Sequence, residues 1–252
     1  MFRKRIIPCL LLKNRGLYKT VKFKNPTYVG DPTIAVRIFN EKEVDELIIL
    51  DIHATRENRG PNFKIIHELA SECFMPLGYG GGITSLDEIK QLFNLGVEKV
   101  CLNTIAAKNP KVINEAAKIF GSQSIVGAID VKKSLFGKHQ VAIRCGDEII
   151  KTDPITHAKQ LEDCGVGEIF LNSIDLEGTM NGYDLDLIKI VSQAVKVPVI
   201  ASGGAGNQSD LRKSLDAGAS AASAGSMFVF HGKHKAVLIT YPAQNEIYDI
   251  IQ

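Results

Sequence analysis

Eight short apolar runs recur along the chain, and each is followed by a polar or glycine-rich loop and a stretch with helical periodicity. The runs cover residues 5–12, 46–52, 76–80, 99–103, 124–130, 168–172, 198–201 and 221–225. They are almost continuously hydrophobic rather than alternating, which is typical of parallel strands covered by helices. This order of strand and helix, repeated eight times, predicts an α/β fold, a closed (β/α)8 TIM barrel.

The helical stretches between the runs carry start signals. Residues 85–95, 109–119 and 184–194 are three examples. The first begins with Ser85 and has Glu88 three residues later, which is the spacing of a capping box. We therefore expect Ser85 to be the N-cap of a helix.

An internal repeat supports closure of the barrel. A single shift of 122 positions places residues 44–46 on 166–168, Pro76 on Pro198, residues 81–82 on 203–204 and Gly96 on Gly218. Strand–helix–strand units resemble one another in general, but generic similarity would not keep one offset over four separate segments. The repeat therefore predicts two similar half-barrels related by a pseudo-twofold axis.

Composition narrows the class of protein. The 252 residues suit one barrel or two ordinary domains, and the absence of a linker or low-complexity tract favours a single domain over residues 1–252. The formal net charge of +2, without a long Lys/Arg run, makes nucleic acid an unexpected partner. Five cysteines without a CxxC pair indicate reduced thiols. No run approaches the ~18 apolar residues of a membrane span. We expect a soluble cytoplasmic protein.

Two glycine clusters follow the third and seventh runs, at residues 80–82 and 203–206. Glycine lets backbone N–H groups approach an anion closely, and a helix that begins there adds partial positive charge. The strand after each cluster ends in a small polar pair, Asn103-Thr104 in one half and Gly225-Ser226 in the other, and these pairs obey the same offset. The pattern predicts two phosphate sites on opposite sides of the barrel mouth.

Charged residues mark both ends of the predicted strands. Asp130 ends the fifth strand, where barrel active sites lie, so it is either a general acid or base or a loop carboxylate. At the opposite ends of four strands stand Arg5, Glu46, Lys99 and Glu168. These four charges are either solvated or, if they point inward, paired across the barrel floor.

Motifs for other chemistries are missing from the sequence. Of the six histidines only His231 and His234 are close together, and no carboxylate or cysteine stands near them at metal-ligand spacing. The sequence has no GxSxG, no P-loop lysine and no dinucleotide fingerprint. We expect neither a metal nor a cofactor.

A series of motifs in order resembles the HisF family. The motifs are KRIIPCL at 4–10, GDP at 30–32, DEL…LDI at 45–52, GGGI at 80–83, LNTIAAKNP at 102–110, GSQ…AID at 121–130, GEI…SID at 167–175, EGTMNGYD at 177–184 and VPVIASGGAG at 197–206. The resemblance implies a barrel that binds a bis-phosphorylated aminoimidazole carboxamide compound. It also implies a HisH-like glutaminase that docks at the floor and sends ammonia along the barrel axis.

The same resemblance assigns roles to individual residues. Arg5, Glu46, Lys99 and Glu168 match the ammonia gate at the floor, and Asp130 matches one of two catalytic aspartates. Gly82, Asn103 and Thr104 match the phosphate-binding positions of one half. Gly178, Gly204 and Ser226, the last with its neighbour Gly225, match those of the other half. Glu98, beside the gate lysine, is expected on the surface that binds the glutaminase.

Three positions at the predicted mouth depart from the family pattern. The family's CLDVKDG reads CLLLKNR at 9–15, so that Leu11 replaces the other catalytic aspartate. Glu177 stands in place of an aspartate and Asn172 in place of a threonine. Residues 228–242 resemble a HisF-like subgroup that accompanies surface-sugar modification enzymes.

Three functions remain open at this stage. The first is an ammonia-delivering subunit for a sugar amidotransferase that makes acetamidino groups. The second is a histidine-pathway cyclase-lyase that uses another acid in place of the aspartate. The third is a phosphate-binding barrel without enzymatic activity, which an intact floor gate disfavours.

Overall fold

The computed structural model describes residues 3–252 of the chain. Along the chain the elements are β1 (Arg5–Lys13), β2 (Gly16–Val21), β3 (Lys24–Gly30), α1 (Pro32–Glu41), β4 (Leu47–Asp51), α2 (Phe63–Glu72), β5 (Leu77–Gly80), α3 (Leu86–Asn94), β6 (Lys99–Leu102), α4 (Thr104–Lys108), α5 (Pro110–Phe120), β7 (Ile125–Lys133), β8 (His139–Ile143), β9 (Glu148–Ile149), α6 (Pro154–Asp163), β10 (Glu168–Ser173), α7 (Leu185–Ser192), β11 (Val199–Ser202), α8 (Gln208–Asp216), β12 (Ala221–Ala224), α9 (Ser226–Val229), β13 (Phe230–His231), β14 (Ala236–Val237) and α10 (Gln244–Ile251). A short 3-10 turn, Ser122–Ser124, precedes β7.

A closed parallel barrel forms the centre of the described chain. Its strands follow the order β1, β4, β5, β6, β7, β10, β11 and β12, and β12 pairs with β1 to close the ring. Each strand matches one of the eight apolar runs, so the predicted TIM barrel is confirmed. β7 continues to Lys133, beyond the predicted end at 130, because its last residues pair with β8 in an antiparallel hairpin.

Hairpins beyond the barrel strands are the elements that the sequence analysis did not predict. β1 continues into the antiparallel pair β2–β3, and β7 continues into β8 and β9. A third hairpin, β13–β14, follows the short helix α9. These strands are short and carry many polar residues, so their apolar pattern is weak.

The two halves of the barrel repeat element by element. Helices α1 and α6, α2 and α7, α3 and α8, and α4 and α9 begin 122 residues apart. The offset changes only at the first strand of each half: Leu11 pairs with Leu50 where Asp130 pairs with Asn172. Leu11 and Asp130 are therefore equivalent positions 119 residues apart, because the connection from β7 to α6 is three residues longer than that from β1 to α1.

Local signals explain where the helices begin. Ser85 caps α3, and its side chain and that of Glu88 form the predicted capping box. The equivalent helix α8 has the same arrangement, built from Asn207 and Asp210. These caps fix the helices that follow the two glycine clusters.

The core has two layers, as the alternation of side chains along each strand requires. The larger layer fills the space between the strands and the surrounding helices. A smaller cluster fills the barrel interior, and several of its members are small, such as Cys9, Cys101, Ala128 and Ala221.

The described residues 3–252 contain neither a candidate membrane-spanning helix nor a candidate metal-binding cluster. None of the helices in this range is both long and apolar enough to cross a membrane. Within the same residues, no three His, Cys, Asp or Glu side chains come together as they would to hold a metal ion. All five cysteines are free thiols.

Candidate functional site

Four charged side chains form a paired network at the N-terminal ends of the barrel strands. Arg5 bonds to Glu46 at 2.6 Å and also to Glu168. Lys99 lies 2.8 Å from Glu46 and 2.9 Å from Glu168. Both carboxylates are buried and each contacts both cations, so the charges are paired rather than solvated.

The network sets the charge state of its arginine. Burial acts to lower the pKa of Arg5, but the attraction and hydrogen bonds of Glu168 and Glu46 outweigh it and raise that pKa above its ordinary value. One carboxylate oxygen of the network, Oε1 of Glu46, is buried without a hydrogen-bond partner. The floor is thus closed by two acidic and two basic side chains that form ion pairs with one another.

The opposite end of the barrel, where the strands end, contains a pocket. Its lining includes Gly82, Asn103, Thr104, Asp130, Gly178, Gly204, Gly225 and Ser226. These are the residues predicted to be catalytic or phosphate-binding, and they come from both halves of the barrel. The structure therefore brings them together, although they are spread over about 145 positions of sequence.

Asp130 lies in this pocket at the point where β7 leaves the barrel. Its Oδ1 accepts a hydrogen bond of 3.0 Å from Nδ2 of Asn172 on the neighbouring strand β10. Burial raises the pKa of Asp130 to about 6, and the negative charge of Glu177 adds to the rise, while the Asn172 bond opposes it. A carboxyl group that titrates near neutral pH can both donate and accept a proton.

Leu11 occupies the equivalent position in the other half and is also in the pocket wall. It is 8% exposed and packs with Leu50, Cys9 and Cys101 in the interior cluster. One half of the mouth thus has a carboxyl group and an amide, from Asp130 and Asn172. The equivalent positions of the other half have two apolar side chains, Leu11 and Leu50. Acid or base chemistry is available on only one of these two positions.

The first predicted phosphate site lies where β5 and β6 end. Asn103 precedes α4 as its N-cap residue but makes no side-chain cap, since its Nδ2 donates instead to the carbonyl of Ala128 at 3.0 Å. The hydroxyl of Thr104 accepts a bond of 3.0 Å from the backbone N–H of Arg144. Because no side chain caps α4, its first N–H groups remain available to an anion beside Gly82.

The second predicted site has the same construction. Gly225 precedes α9, which begins at Ser226, and again no side chain caps the helix. Gly178 approaches the hairpin strand β2 so closely that a Cβ would lie 2.0 Å from the carbonyl oxygen of Thr20. Only glycine fits there. The N–H of Lys22 donates to the carbonyl of Glu177 at 3.0 Å and joins the loop after β10 to the hairpin above the pocket.

A lysine that the sequence analysis did not single out reaches into this second site. Lys19 on β2 is 4% exposed, and its Nζ donates to the carbonyl of Cys9 at 2.8 Å. A Cβ on Gly225 would lie 2.0 Å from that Nζ, so the ammonium group lies directly against the glycine. Burial lowers the pKa of Lys19, although Cys9 and Glu177 oppose the change.

Glu177 is the second carboxyl group in the pocket. Its Oε2 accepts hydrogen bonds from the hydroxyl of Thr20 at 2.9 Å and the N–H of Phe23 at 3.4 Å. Burial raises the pKa of Glu177 against the effect of Lys19. No local sequence signal distinguished Lys19 from other lysines, because its burial depends on how the β2–β3 hairpin folds over the mouth.

Comparison with known proteins agrees with this arrangement. The sequence model of the family described as "Histidine biosynthesis protein" matches residues 5–235. The chain is 55% identical over 248 residues to the "Putative imidazole glycerol phosphate synthase subunit hisF2" of Pseudomonas aeruginosa, covering 98% of this chain and 99% of the relative. It is 40% identical over 232 residues to the "Imidazole glycerol phosphate synthase subunit HisF" of Alkaliphilus metalliredigens, covering 92% of each.

The match extends over nearly the whole chain and includes both the floor network and the mouth pocket. Relatives of this identity and coverage share the fold and the family. The chain therefore belongs to the HisF family of imidazole glycerol phosphate synthase subunits.

Proposed function

We propose that the chain is the barrel subunit of a two-protein glutamine amidotransferase. A HisH-like glutaminase docks on the floor beside Arg5 and Lys99 and releases ammonia there. Opening of the floor network admits the ammonia to the barrel interior. A purely structural floor does not need these charges, because packed apolar side chains would stabilise the barrel equally well. The presence of all four charges therefore favours a role in ammonia transfer.

The barrel interior supports such a path. Cys9, Cys101 and Ala221 are small members of the interior cluster between the floor and the mouth, beside larger members such as Ile48 and Phe170. The hydroxyl of Ser223 is fully buried beside the thiol of Cys9, and both face the interior of the barrel.

The mouth supports binding of an anionic compound. Two uncapped helix starts, at Thr104 and Ser226, face one pocket from opposite halves, and Lys19 adds a buried ammonium group to the second. This arrangement suits a molecule with a phosphate group at each end.

The single observation that carries the finer proposal is Leu11. Ring closure to an imidazole needs a proton donor and acceptor on opposite sides of the substrate, and leucine supplies neither. Loss of one general acid or base removes roughly 10²–10⁴-fold in rate. We infer that the barrel passes ammonia on to a separate sugar amidotransferase, which converts an acetamido group to an acetamidino group. The tail at 228–242 supports this choice.

Glu177 supports a second candidate, the cyclase-lyase of histidine biosynthesis. Its carboxyl group lies in the same pocket as Asp130 and close enough to raise the pKa of Asp130. A protonated Glu177 would be a donor at a different point of the mouth from Leu11. In that case the chain closes the imidazole ring with Asp130 and Glu177 as its two acid–base groups.

Turnover measurements separate the two candidates. We expect the purified protein, given the imidazole-pathway substrate and an ammonium salt, to show little cyclase activity, and Leu11→Asp to restore part of it. Robust turnover by the unmodified protein would overturn the sugar proposal. The neighbouring genes give a second test, because a histidine operon favours the cyclase and a surface-polysaccharide cluster favours the sugar enzyme.

A floor variant tests the ammonia path. Glu46→Trp should abolish glutamine-dependent transfer while transfer from an added ammonium salt continues, because external ammonia reaches the mouth from solution. The ammonium-dependent activity is also the control for folding. Equal loss of both activities would count against the path.

A further inference from the structure

Three hairpins concentrate positive charge beyond the barrel strands. Residues 16–30, 131–143 and 230–238 contain no aspartate or glutamate. Their lysines are Lys19, Lys22, Lys24, Lys132, Lys133, Lys138, Lys233 and Lys235. The whole chain has a formal net charge of only +2. Lys19 points into the mouth pocket, whereas the other seven lysines are exposed.

The middle hairpin carries two large apolar side chains at its tip. Leu135 is 102% exposed and Phe136 is 97% exposed. The tip is an ordered turn: Ser134 N–H donates to the carbonyl of Lys138 at 2.8 Å, and Gly137 N–H donates to that of Ser134 at 2.9 Å. Turn centres usually hold polar residues, glycine or proline, so neither side chain is there for the turn itself.

The base of this hairpin is fixed to the barrel. Lys133 N–H donates to Asp175 at 2.7 Å, and the Nζ of Lys133 lies 2.8 Å from Asp184. The Nε2 of His139 lies 3.0 Å from the same carboxylate, which also caps α7. The two apolar side chains therefore project from a held base, and ordering them on a partner costs less entropy than ordering a loose loop.

We propose that the Leu135–Phe136 tip and the lysines around it dock the protein that accepts ammonia at the mouth. This proposal rests on the proposed function. The complementary surface is an apolar pocket with an acidic rim, into which the tip inserts. Aromatic and aliphatic anchors in a pocket, surrounded by opposite charges, are the usual source of affinity at protein interfaces.

The position of the tip favours a protein partner over a lipid surface or a phosphorylated substrate. Ammonia released into neutral water is protonated and loses its nucleophilic electron pair, so an acceptor has to close the exit. A lipid surface would also attract lysines and apolar tips, but it would cover the exit with a layer that contains no acceptor. Attraction of a phosphorylated substrate would account for the lysines, but it leaves Leu135 and Phe136 without a role.

A competition between nitrogen isotopes tests the docking. The barrel, its glutaminase and a purified sugar amidotransferase from the same organism are given the acetamido sugar and ATP, which activates the amide oxygen so that it can leave. They are also given glutamine labelled with ¹⁵N in the amide and an excess of unlabelled ammonium salt. Docking predicts a product richer in ¹⁵N than the bulk ammonia. Leu135→Ser/Phe136→Ser should reduce the label to the bulk ratio and weaken association with the amidotransferase by at least about 100-fold, which is about 2.8 kcal/mol.

Matched variants complete the experiment. Tyr248→Ser removes an apolar side chain that is 61% exposed on the outer helix α10, and it should leave the label unchanged. Lys132→Glu/Lys138→Glu should weaken association, and the wild-type affinity should fall with salt. Ammonium-dependent product formation should be the same in all variants.

The other outcomes are distinguishable. Unchanged label and affinity in Leu135→Ser/Phe136→Ser, with product still formed, would overturn the docking surface and leave the proposed function standing. No product from either nitrogen source would reject the proposed function and the docking with it. Co-sedimentation with phosphatidylglycerol vesicles that depends on Leu135 and Phe136, with unaffected label, would assign the tip to a membrane instead.

Discussion

The floor and the mouth of this barrel use polar groups in opposite ways. At the floor, Glu46 and Glu168 each contact both Arg5 and Lys99, so the charges neutralise one another. At the mouth, Asp130 has one neutral amide partner and its equivalent is a leucine. The comparison separates charges that are committed to the fold from polar groups that remain available to a ligand.

The largest effect is expected from removing a floor carboxylate. Glu168→Ala leaves Arg5 and Lys99 with one partner fewer in a mostly buried site. The free energy of unfolding should fall by about 3–5 kcal/mol, which urea denaturation measures. The matched control is Glu98→Ala, an exposed residue next to Lys99, which should change stability by less than about 0.5 kcal/mol. Equal stability of the two variants would show that the network is not what holds the floor.

A smaller loss of stability is expected at the mouth when Leu11 is replaced by aspartate. Leu11→Asp removes a buried apolar side chain and places a carboxylate beside Leu50, which should cost about 3 kcal/mol. The cost should decrease at acidic pH, where the new carboxyl group is protonated. Leu11→Asn is the control, because its stability should not vary with pH at this position. A stable Leu11→Asp at neutral pH would mean that water reaches this side of the mouth.

Removing the mouth carboxylate of Asp130 should raise the free energy of unfolding, whereas removing the floor carboxylate of Glu168 should lower it. Asp130→Asn keeps a carbonyl oxygen for the Asn172 hydrogen bond and removes a charge that burial disfavours. We expect a gain of about 1–2 kcal/mol in unfolding free energy at pH 7, since a shift of one pKa unit is about 1.4 kcal/mol and the side chain is partly open to the pocket. A lower stability of Asp130→Asn would contradict the conclusion that burial of the Asp130 charge destabilises the folded protein.

The pH dependence of stability tests the direction of this change independently. The pKa of Asp130 is raised from 3.8 to about 6, so the folded state holds this proton more tightly than the unfolded state. The contribution of Asp130 to stability is therefore fully present below pH about 4 and is lost as pH rises to about 6. The difference between wild type and Asp130→Asn should grow over that interval and then stay constant.

The smallest effect is expected at the rim of the proposed glutaminase interface. Glu98 is exposed beside the floor network, so Glu98→Lys should weaken the barrel–glutaminase complex by about 1 kcal/mol, or roughly fivefold. Native mass spectrometry or calorimetry at low salt would measure it, and the effect should shrink as salt increases. Failure of the wild-type barrel to bind its glutaminase would contradict the interface as a whole.

Local patterns predicted which residues meet at the mouth, because the barrel places equivalent residues at equivalent heights. Asp130, Asn103 and Ser226 come from different strand ends, and all of them meet in one pocket, since the C-terminal ends of parallel barrel strands share one face. The pairing of the floor charges was one of two open alternatives, because a sequence does not say whether a strand-end side chain points inward.

Lys19 and the hairpins show where the sequence alone was insufficient. Lys19 lies on a short strand whose alternation is like that of many surface hairpins. Its ammonium nitrogen lies against Gly225, which is more than 200 positions away in the sequence. The repeat offset of 122 does not extend to β1 and β7, because the connection between the first strand and the first helix has a different length in each half.

The sequence by itself determined the barrel, its two halves and the presence of a leucine at position 11, because these depend on hydrophobic period, glycine position and residue identity. Only the tertiary structure decided that the floor charges pair, that burial raises the pKa of Asp130 to about 6 and that Lys19 lies against Gly225 in the mouth pocket. These properties depend on desolvation and on distances between groups far apart in the chain, and both arise only when the strands close into a ring.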